Sequence, residues 1–168
     1  MEIFAKPAAA GIIEKTVDGQ EYILIQNRSK EGAPKEEGLI ELPAGRVREF
    51  ENIYDCLRRE IKEETGLEVV SVIGQSEATV YEMNGQRIMN YTPFTIVQCI
   101  YGNYPIIVHA FICKTKGVPF TESDESKNIR WISINELVEL LTNNPENFFP
   151  SHVPILKRYL KIDRVSNS

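Results

Sequence analysis

The segment 45–67, which reads GRVREFENIYDCLRREIKEETGL, constrains the fold of this chain more than any other part of it. Asn52 is a residue type that accepts a hydrogen bond at the start of a helix, and Gly66 is the type that ends one. At about 100° per residue, Ile53, Leu57 and Ile61 fall on one side, and charged residues fall on the opposite side. The segment therefore predicts an amphipathic helix whose apolar side packs on a core.

Three glutamates in the second half of this helix occupy electrostatically unfavourable positions. Glu60, Glu63 and Glu64 repel one another at helical spacing, and they stand in the last turn, where the helix dipole disfavours an acid. A divalent cation would reverse both effects, because clustered carboxylate oxygens are the ligands that Mg²⁺ and Mn²⁺ prefer. The pattern favours a metal site, with an ordinary solvated acidic face as the alternative.

The same segment resembles the Nudix box, the pattern G-x5-E-x7-R-E-U-x-E-E-x-G-U in which U is an aliphatic residue. Every fixed position of the pattern is matched without a gap, so the chain is identified as a member of the Nudix family. The matching residues are Gly45, Glu51, Arg59, Glu60, Ile61, Glu63, Glu64, Gly66 and Leu67.

The resemblance implies a role for most of these residues. Glu60, Glu63 and Glu64 are expected to bind the divalent metal, Mg²⁺ or Mn²⁺, with the backbone carbonyl of Gly45 as a further ligand. Glu51 and Arg59 are expected to form an ion pair that holds the preceding loop on the helix. A glycine at position 45 is also expected to let the backbone turn sharply toward the metal.

Strand signals precede and follow the helix, which predicts an α/β fold with a mixed β-sheet between helices, an α/β/α sandwich of the Nudix type. The turn dipeptides Asp18-Gly19 and Asn84-Gly85 each predict a hairpin. The predicted strands are 8–13, 22–26, 39–43, 67–73, 77–82, 86–90, 95–101, 106–113 and 129–132, and two later helices are predicted at 134–142 and 153–160.

Length and charge limit the kind of protein. With 168 residues, residues 1–168 suit a single domain, of which the last few are expected to fray. A net charge of −5 and a pI near 5.2 argue against a nucleic-acid partner, which would need a basic face. No stretch approaches the roughly 20 apolar residues of a membrane span. A cytoplasmic protein, monomeric or homodimeric, is expected.

The cysteine count points to the same compartment. The chain has three cysteines, and each lies in an apolar segment. An odd number in such positions predicts reduced thiols in the core of a cytosolic protein. These residues are Cys56, Cys99 and Cys113.

Candidate substrate contacts outside the box are weaker. Arg28, in or beside a polar loop that also holds Lys30 and Lys35, is a candidate for phosphate binding, and Tyr81 is a candidate for stacking on a base. For each, ordinary loop solubility or core packing is the alternative.

The acidic segment 121–127 is a candidate for a further catalytic acid. Composition alone indicates a solvated loop, but Nudix proteins often place an additional glutamate in a corresponding loop. That glutamate serves as another metal ligand or as the general base. Glu122, Asp124 and Glu125 are the candidates, of which Glu125 is favoured. The general base is either Glu63 or an acid of this loop, and Glu64 is the remaining catalytic candidate.

The resemblance implies a metal-dependent pyrophosphohydrolase acting on a nucleotide-type small molecule, a nucleoside diphosphate linked to another moiety. A nucleotide sugar or ADP-ribose is placed ahead of a dinucleoside polyphosphate or a nucleoside triphosphate, because the chain is longer than a minimal Nudix domain. Two alternatives on the same fold stay open: a non-hydrolytic nucleotide-binding sensor or regulator, and a prenyl diphosphate isomerase.

Overall fold

The computed structural model describes residues 1–162, in which four strands precede the first helix, six strands follow it and two helices close the described chain. The strands are β1 (Lys6–Val17), β2 (Gln20–Arg28), β3 (Ile40–Glu41), β4 (Ala44–Arg46), β5 (Glu68–Val72), β6 (Thr79–Met83), β7 (Gln86–Asn90), β8 (Thr95–Gln98), β9 (Ile106–Lys116) and β10 (Ser126–Ser133). The helices are α1 (Ile53–Thr65), α2 (Ile134–Asn143) and α3 (His152–Tyr159), and short 3-10 turns occupy Pro34–Glu36, Gln75–Glu77 and Pro145–Asn147.

An eight-stranded mixed sheet forms the centre of the fold. Its main path runs β10-β2-β1-β9-β5, with β3 attached to β2, β4 to β1 and β8 to β9. The pair β1 and β9 is parallel, with Ala10 opposite Ala110, and the remaining pairs are antiparallel. Strands β6 and β7 form a separate two-stranded hairpin.

Helices cover both faces of the sheet, because the strand residues alternate between two apolar faces. The apolar side of α1 packs with Ala9, Ile13 and Leu24 on one face. Helices α2 and α3 pack on the other face, where Ala8, Ala10 and Ile12 lie. Each fully buried leucine or isoleucine side chain is worth roughly 1.5–3 kcal/mol relative to exposure. The predicted α/β/α sandwich with a mixed sheet is confirmed.

Several boundaries differ from those that the sequence predicts. Strand β6 begins later than expected, because Gln75–Glu77 form a 3-10 turn, and β8 ends at Gln98, before the expected 101. Strands β9 and β10 are longer than expected. The expected fraying falls on residues 163–168, which lie outside the described residues.

The cysteine prediction is correct for two of the three residues. Cys56 and Cys113 are buried, whereas Cys99 is only half-buried, just past the end of β8. Its thiol donates to the carbonyl of Tyr101 in the loop that follows. Strand β8 ends one residue before Cys99, at Gln98, so this residue follows the strand and is only partly covered. Among the described residues, no helix is long and apolar enough to cross a membrane.

Candidate metal-binding and catalytic site

Helix α1 is fixed at both ends by the residues that the sequence indicates. The side chain of Asn52 accepts a hydrogen bond from the backbone N–H of Tyr54 at 2.8 Å. Gly66 closes the helix in the left-handed conformation, with φ of 77°, and its N–H donates to the carbonyl of Lys62. These caps fix which residues of the last two turns face the cleft.

The three glutamates of α1 line one cleft of about 800 Å³, together with Gly45 and Arg59. Their environments differ strongly. The side chain of Glu63 is 55% exposed, that of Glu60 is 14% exposed, and Glu64 is almost completely buried. The cleft is therefore bordered by acids at three depths.

Arg59 holds these acids and the preceding loop in place. Its Nε and Nη2 donate to the two carboxylate oxygens of Glu51 at 2.7 and 2.9 Å, the ion pair expected from the resemblance. It also bonds Glu60 and lies 3.4 Å from Glu63. The contact with Arg59 holds the pKa of Glu51 at about 2, well below its usual range, and the Glu51 carboxylate raises the pKa of Arg59.

The glycine at position 45 serves close packing, which corrects the expectation of a sharp turn. Gly45 lies in β4 opposite Ala9, and it is not among the residues with positive φ. A Cβ at this position would collide with the carboxylate of Glu60. The carbonyl of Gly45 is also contacted by the thiol of Cys56, with Sγ 3.7 Å from the oxygen.

Glu64 carries the most unusual group of the site. Its Oε2 accepts hydrogen bonds from the Gln26 side chain and the Ala44 N–H, each at 3.0 Å. Its Oε1 is buried and has no hydrogen-bond partner among the described residues. Burial, with a smaller contribution from the nearby Glu41 carboxylate, raises the pKa of Glu64 to about 8.

The donor set suits a hard divalent cation. A cation beside Glu64 Oε1 would satisfy an otherwise unpaired buried oxygen and offset the cost of burying its charge. Glu60, Glu63 and the carbonyl of Gly45 are the further oxygen ligands within the same cleft. Within residues 1–162, no three His, Cys, Asp or Glu side chains already converge as a ready-made metal site, and Arg59 contacts two of the acids. Metal binding would require Glu60 and Glu63, the two acids in contact with Arg59, to rearrange.

The acidic loop before β10 reaches the cleft with part of its length. Ser123, Asp124 and Glu125 line the cleft, whereas Glu122 is exposed and outside this lining. Glu125 is 53% exposed and forms an ion pair with Lys30 at 2.8 Å. The structure thus places the favoured acid of this loop and one candidate cation together on the cleft wall.

Arg28 forms ion pairs with two acidic side chains. Its Nε lies 2.7 Å from Glu36 and its Nη1 lies 3.0 Å from Glu41, while the guanidinium stacks over the ring of Phe149 at 4.5 Å. It lines a second cavity of about 450 Å³ that adjoins the first. Its charge is therefore already balanced within the protein.

Tyr81 lies away from both cavities. It stands on the β6–β7 hairpin, 62% exposed, with its hydroxyl near the sulfur of Met83, and it is not among the residues that line either cavity. Two further aromatic residues of this part of the chain pack on other rings: Tyr91 on Tyr54 and Phe111, and Phe94 on Tyr159.

Sequence reasoning missed several residues that the fold brings to the site. Lys6 and Arg46 border both cavities, and Gln26 contacts Glu64. His152, to which the sequence assigned no role, is buried in the second cavity, where its Nδ1 accepts the N–H of Leu42 at 3.0 Å. The position of Arg46 next to Gly45 was the one signal in the sequence that pointed to any of them.

Comparison with known proteins connects this geometry to a family. A sequence model described as the NUDIX domain matches residues 5–158. Among curated proteins, no sequence gives a significant match.

Solved structures share the fold at low identity. The solution structure of the E. coli ORF135 protein is 22% identical, with 99% of this chain and 96% of that chain covered and a TM-score of 0.59. The NUDIX domain of Shewanella oneidensis NrtR, complexed with ADP ribose, is 10% identical, with 96% and 90% covered and a TM-score of 0.66. A C. elegans Ap4A hydrolase is 16% identical, with 94% and 98% covered and a TM-score of 0.52.

Proposed function

The chain belongs to the Nudix family, and from this premise we propose that it is a metal-dependent pyrophosphohydrolase that cleaves a nucleoside diphosphate linked to another moiety. The observation that carries the proposal is the buried Oε1 of Glu64, which has no partner among the described residues and belongs to a side chain that lines the cleft together with Glu60 and Glu63. The metal ligands proposed are these three glutamates and the carbonyl of Gly45, with Mg²⁺ or Mn²⁺ as the ion.

The charges around the cleft support a pyrophosphate substrate. When bound, a divalent cation supplies charge neutralisation of the pyrophosphate and lowers the pKa of an attacking water. Lys6, Arg46 and Arg48 border the same cleft and would attract and orient the phosphate oxygens. Without such cations, the acids of the cleft would repel the substrate.

A carboxylate of the cleft wall is needed to take the proton of the attacking water. Glu125 is our candidate for this general base, because it lines the same cleft as the helix acids and remains half exposed. Glu63, the most exposed of the three helix glutamates, is the alternative. Lys30 holds the Glu125 carboxylate in its position on the cleft wall.

The second cavity supports a substrate with an organic group on the far side of the pyrophosphate. It shares Lys6, Lys30, Gly45 and Arg46 with the first cavity. Its lining also includes apolar and aromatic side chains, among them Ile106, Val108 and Phe149. Arg28, which also lines this cavity, is already paired with two acids, so the part of the cavity beside it suits an uncharged base or sugar.

This arrangement favours a nucleotide sugar or ADP-ribose, with a dinucleoside polyphosphate or a nucleoside triphosphate next. The NUDIX domain that shares the fold and was solved with ADP ribose is an example of the favoured class. Its 10% identity extends to the fold alone, so the substrate assignment rests on the two adjoining cavities of this chain.

The two alternatives find less support. A prenyl diphosphate isomerase would need a cysteine in the pocket, and none of the three cysteines, all of which the structure describes, is among the residues that line either cavity. A non-hydrolytic nucleotide-binding sensor would retain the cavities without needing an acid that is placed to take a proton. Glu125 on the cleft wall favours hydrolysis.

The experiment is a phosphate-release screen with Mg²⁺ or Mn²⁺ across ADP-ribose, nucleotide sugars, dinucleoside polyphosphates and nucleoside triphosphates. Phosphatase is added to count the terminal phosphates that are freed. We expect turnover of one class well ahead of the others, and a loss of at least about 100-fold in kcat for Glu64→Gln with nucleotide binding retained.

The matched control is Glu49→Gln, an exposed acid of the loop before α1 that does not line the cleft. It is expected to turn over like the wild type. Unchanged activity of Glu64→Gln would contradict the metal assignment. If the chain binds nucleotides but turns over none of the substrates, the result would contradict the hydrolase function and support the sensor function.

A further inference from the structure

The amide of Gln26 joins two buried carboxylates that come from different parts of the fold. Gln26 lies in β2 opposite Glu41 of β3, and its side chain is fully buried. Its Nε2 donates to Glu64 Oε2 at 3.0 Å and lies 3.4 Å from Glu41 Oε1. One NH₂ group therefore serves an acid of the sheet and an acid of helix α1.

These contacts make the two oxygens of Glu64 unequal. Oε2 receives both available donors, the Gln26 amide and the Ala44 N–H, while Oε1 receives none from the described residues. A carboxylate held through one oxygen keeps its rotation about the last side-chain bond fixed, so the other oxygen points in one direction. We propose that Gln26 is a positioning residue that presents Glu64 Oε1 to a divalent cation; this inference rests on the proposed function.

An amide meets the requirements of this position. Its NH₂ group has two donors, which matches two facing carboxylates, whereas a carboxylate would add a third negative charge and an apolar side chain would supply no donor. The orientation of the amide is also determined, because turning it over would set its own Oε1 against both acids. Gln26 keeps this orientation even though its Oε1 is buried without a partner among the described residues.

Glu41 is in turn held from the opposite side. Its Oε2 accepts from Arg28 Nη1 at 3.0 Å, and the guanidinium of Arg28 is fixed by Glu36 and by the ring of Phe149. The chain of contacts thus runs from the wall of the second cavity through Glu41 and Gln26 to Glu64. Each member restricts the next, so Gln26 acts through a rigid support.

The test is Gln26→Met, which keeps the length and volume of the side chain and removes both donors. The affinity for Mn²⁺ alone is measured by the EPR signal of free Mn²⁺ during titration, without substrate. We expect the Kd for Mn²⁺ to rise about 10-fold or more, as is typical when a partner of a metal ligand is lost. In turnover assays, kcat should recover as the metal concentration is raised, because the ligands themselves remain.

The control is Asn27→Ala, on the same strand, where the side-chain amide donates to the carbonyl of Gly38 at 2.7 Å and makes no contact with Glu64. It is expected to lower stability while leaving the Kd for Mn²⁺ within about twofold. A folded Gln26→Met variant that binds Mn²⁺ as the wild type does overturns the proposal. A wild-type chain that binds no Mn²⁺ overturns the proposed function itself, and the positioning role with it.

A second measurement uses the unaltered chain, in case Gln26→Met does not fold. In NMR spectra of the isotope-labelled wild type, the side-chain amide signals of Gln26 are followed during a Mg²⁺ titration. We expect them to shift in the wild type and to stay in place in Glu64→Gln. Signals that do not move in the wild type at saturating Mg²⁺ overturn the proposal.

Discussion

The carboxylate of Glu60 lies against the α-carbon of Gly45, so closely that any side chain at position 45 would occupy the same space. The two residues come from β4 and α1, and their contact brings the Gly45 carbonyl next to a helix acid. The backbone conformation at position 45 is open to other residues, so glycine matters here because it leaves room for the Glu60 carboxylate.

Gly45→Ala is therefore expected to damage activity more than stability. The added methyl group must push aside the end of a flexible glutamate, which costs little free energy of unfolding but moves a proposed metal ligand. A displacement of about 1 Å in such a site lowers kcat on the order of 100-fold. Urea unfolding and kcat at saturating Mg²⁺ measure the two effects.

Gly11→Ala is the comparison variant for Gly45→Ala, and it is expected to lower stability more than activity. A Cβ at Gly11 would approach Cδ1 of Ile61, on the apolar side of the same helix, to 2.8 Å. Overpacking of this kind costs roughly 1–3 kcal/mol. Gly11→Ala should lower the free energy of unfolding and keep kcat per folded molecule. Equal losses of kcat in both variants would contradict the proposed role of the Gly45–Glu60 contact.

Glu51→Gln is expected to change the acid stability of the protein. Because the pKa of Glu51 is about 2 in the folded state and has an ordinary value of 4.5, the ion pair with Arg59 contributes its full stability above about pH 5. That contribution is lost as the pH falls from about 5 toward 2. The variant should be less stable than the wild type by roughly 1–3 kcal/mol near neutral pH, with a difference that narrows in acid.

Urea unfolding at a series of pH values measures this difference. Glu49→Gln, in the same loop but exposed, is the comparison variant. If the wild type and Glu51→Gln keep the same separation across the whole acid range, the ion pair does not set the pKa of Glu51.

His152→Gln is expected to make the free energy of unfolding less dependent on pH between about pH 3 and 6.5. Burial lowers the pKa of His152 to about 3, with a smaller contribution from the nearby Arg28, so the folded protein keeps this imidazole neutral. Between about pH 6.5 and 3 the unfolded chain binds a proton that the folded chain does not. The free energy of unfolding of the wild type therefore falls by up to about 1.4 kcal/mol for each pH unit by which the pH is lowered.

Glutamine at this position can still accept the N–H of Leu42 but does not titrate. The slopes of unfolding free energy against pH are compared, since the two proteins differ in absolute stability. All other titrating groups are common to both proteins, so the difference in slope isolates His152. Parallel curves would show that the folded protein protonates His152 as readily as the unfolded chain does.

Glu125→Gln is expected to lower kcat about 100-fold, with little change in KM, because a general base acts only in the chemical step. The comparison variant is Glu122→Gln, which alters an exposed acid of the same loop outside the cleft lining. Initial rates across substrate concentration separate the two constants. A wild-type kcat in the Glu125→Gln variant would exclude Glu125 as the general base and favour Glu63.

The sequence by itself determined the local features: the helix with its caps Asn52 and Gly66, the spacing of Glu60, Glu63 and Glu64, the family, and the layered α/β architecture. These follow from residues close in the chain, whose side chains are related by the fixed geometry of a helix or strand. The Glu51–Arg59 ion pair belongs with them, because the motif specifies both partners.

Only the tertiary structure decided which oxygen of Glu64 is left free, why position 45 holds glycine, and how Arg28 and His152 are used. Gln26 and Glu64 are 38 residues apart, and Leu42 and His152 are 110 apart, so no local period relates them. Strand pairing places Gln26 opposite Glu41, and the packing of α1 on the sheet then brings Glu64 to the same amide. Contacts of this kind depend on the order of strands in the sheet, which residue spacing does not encode.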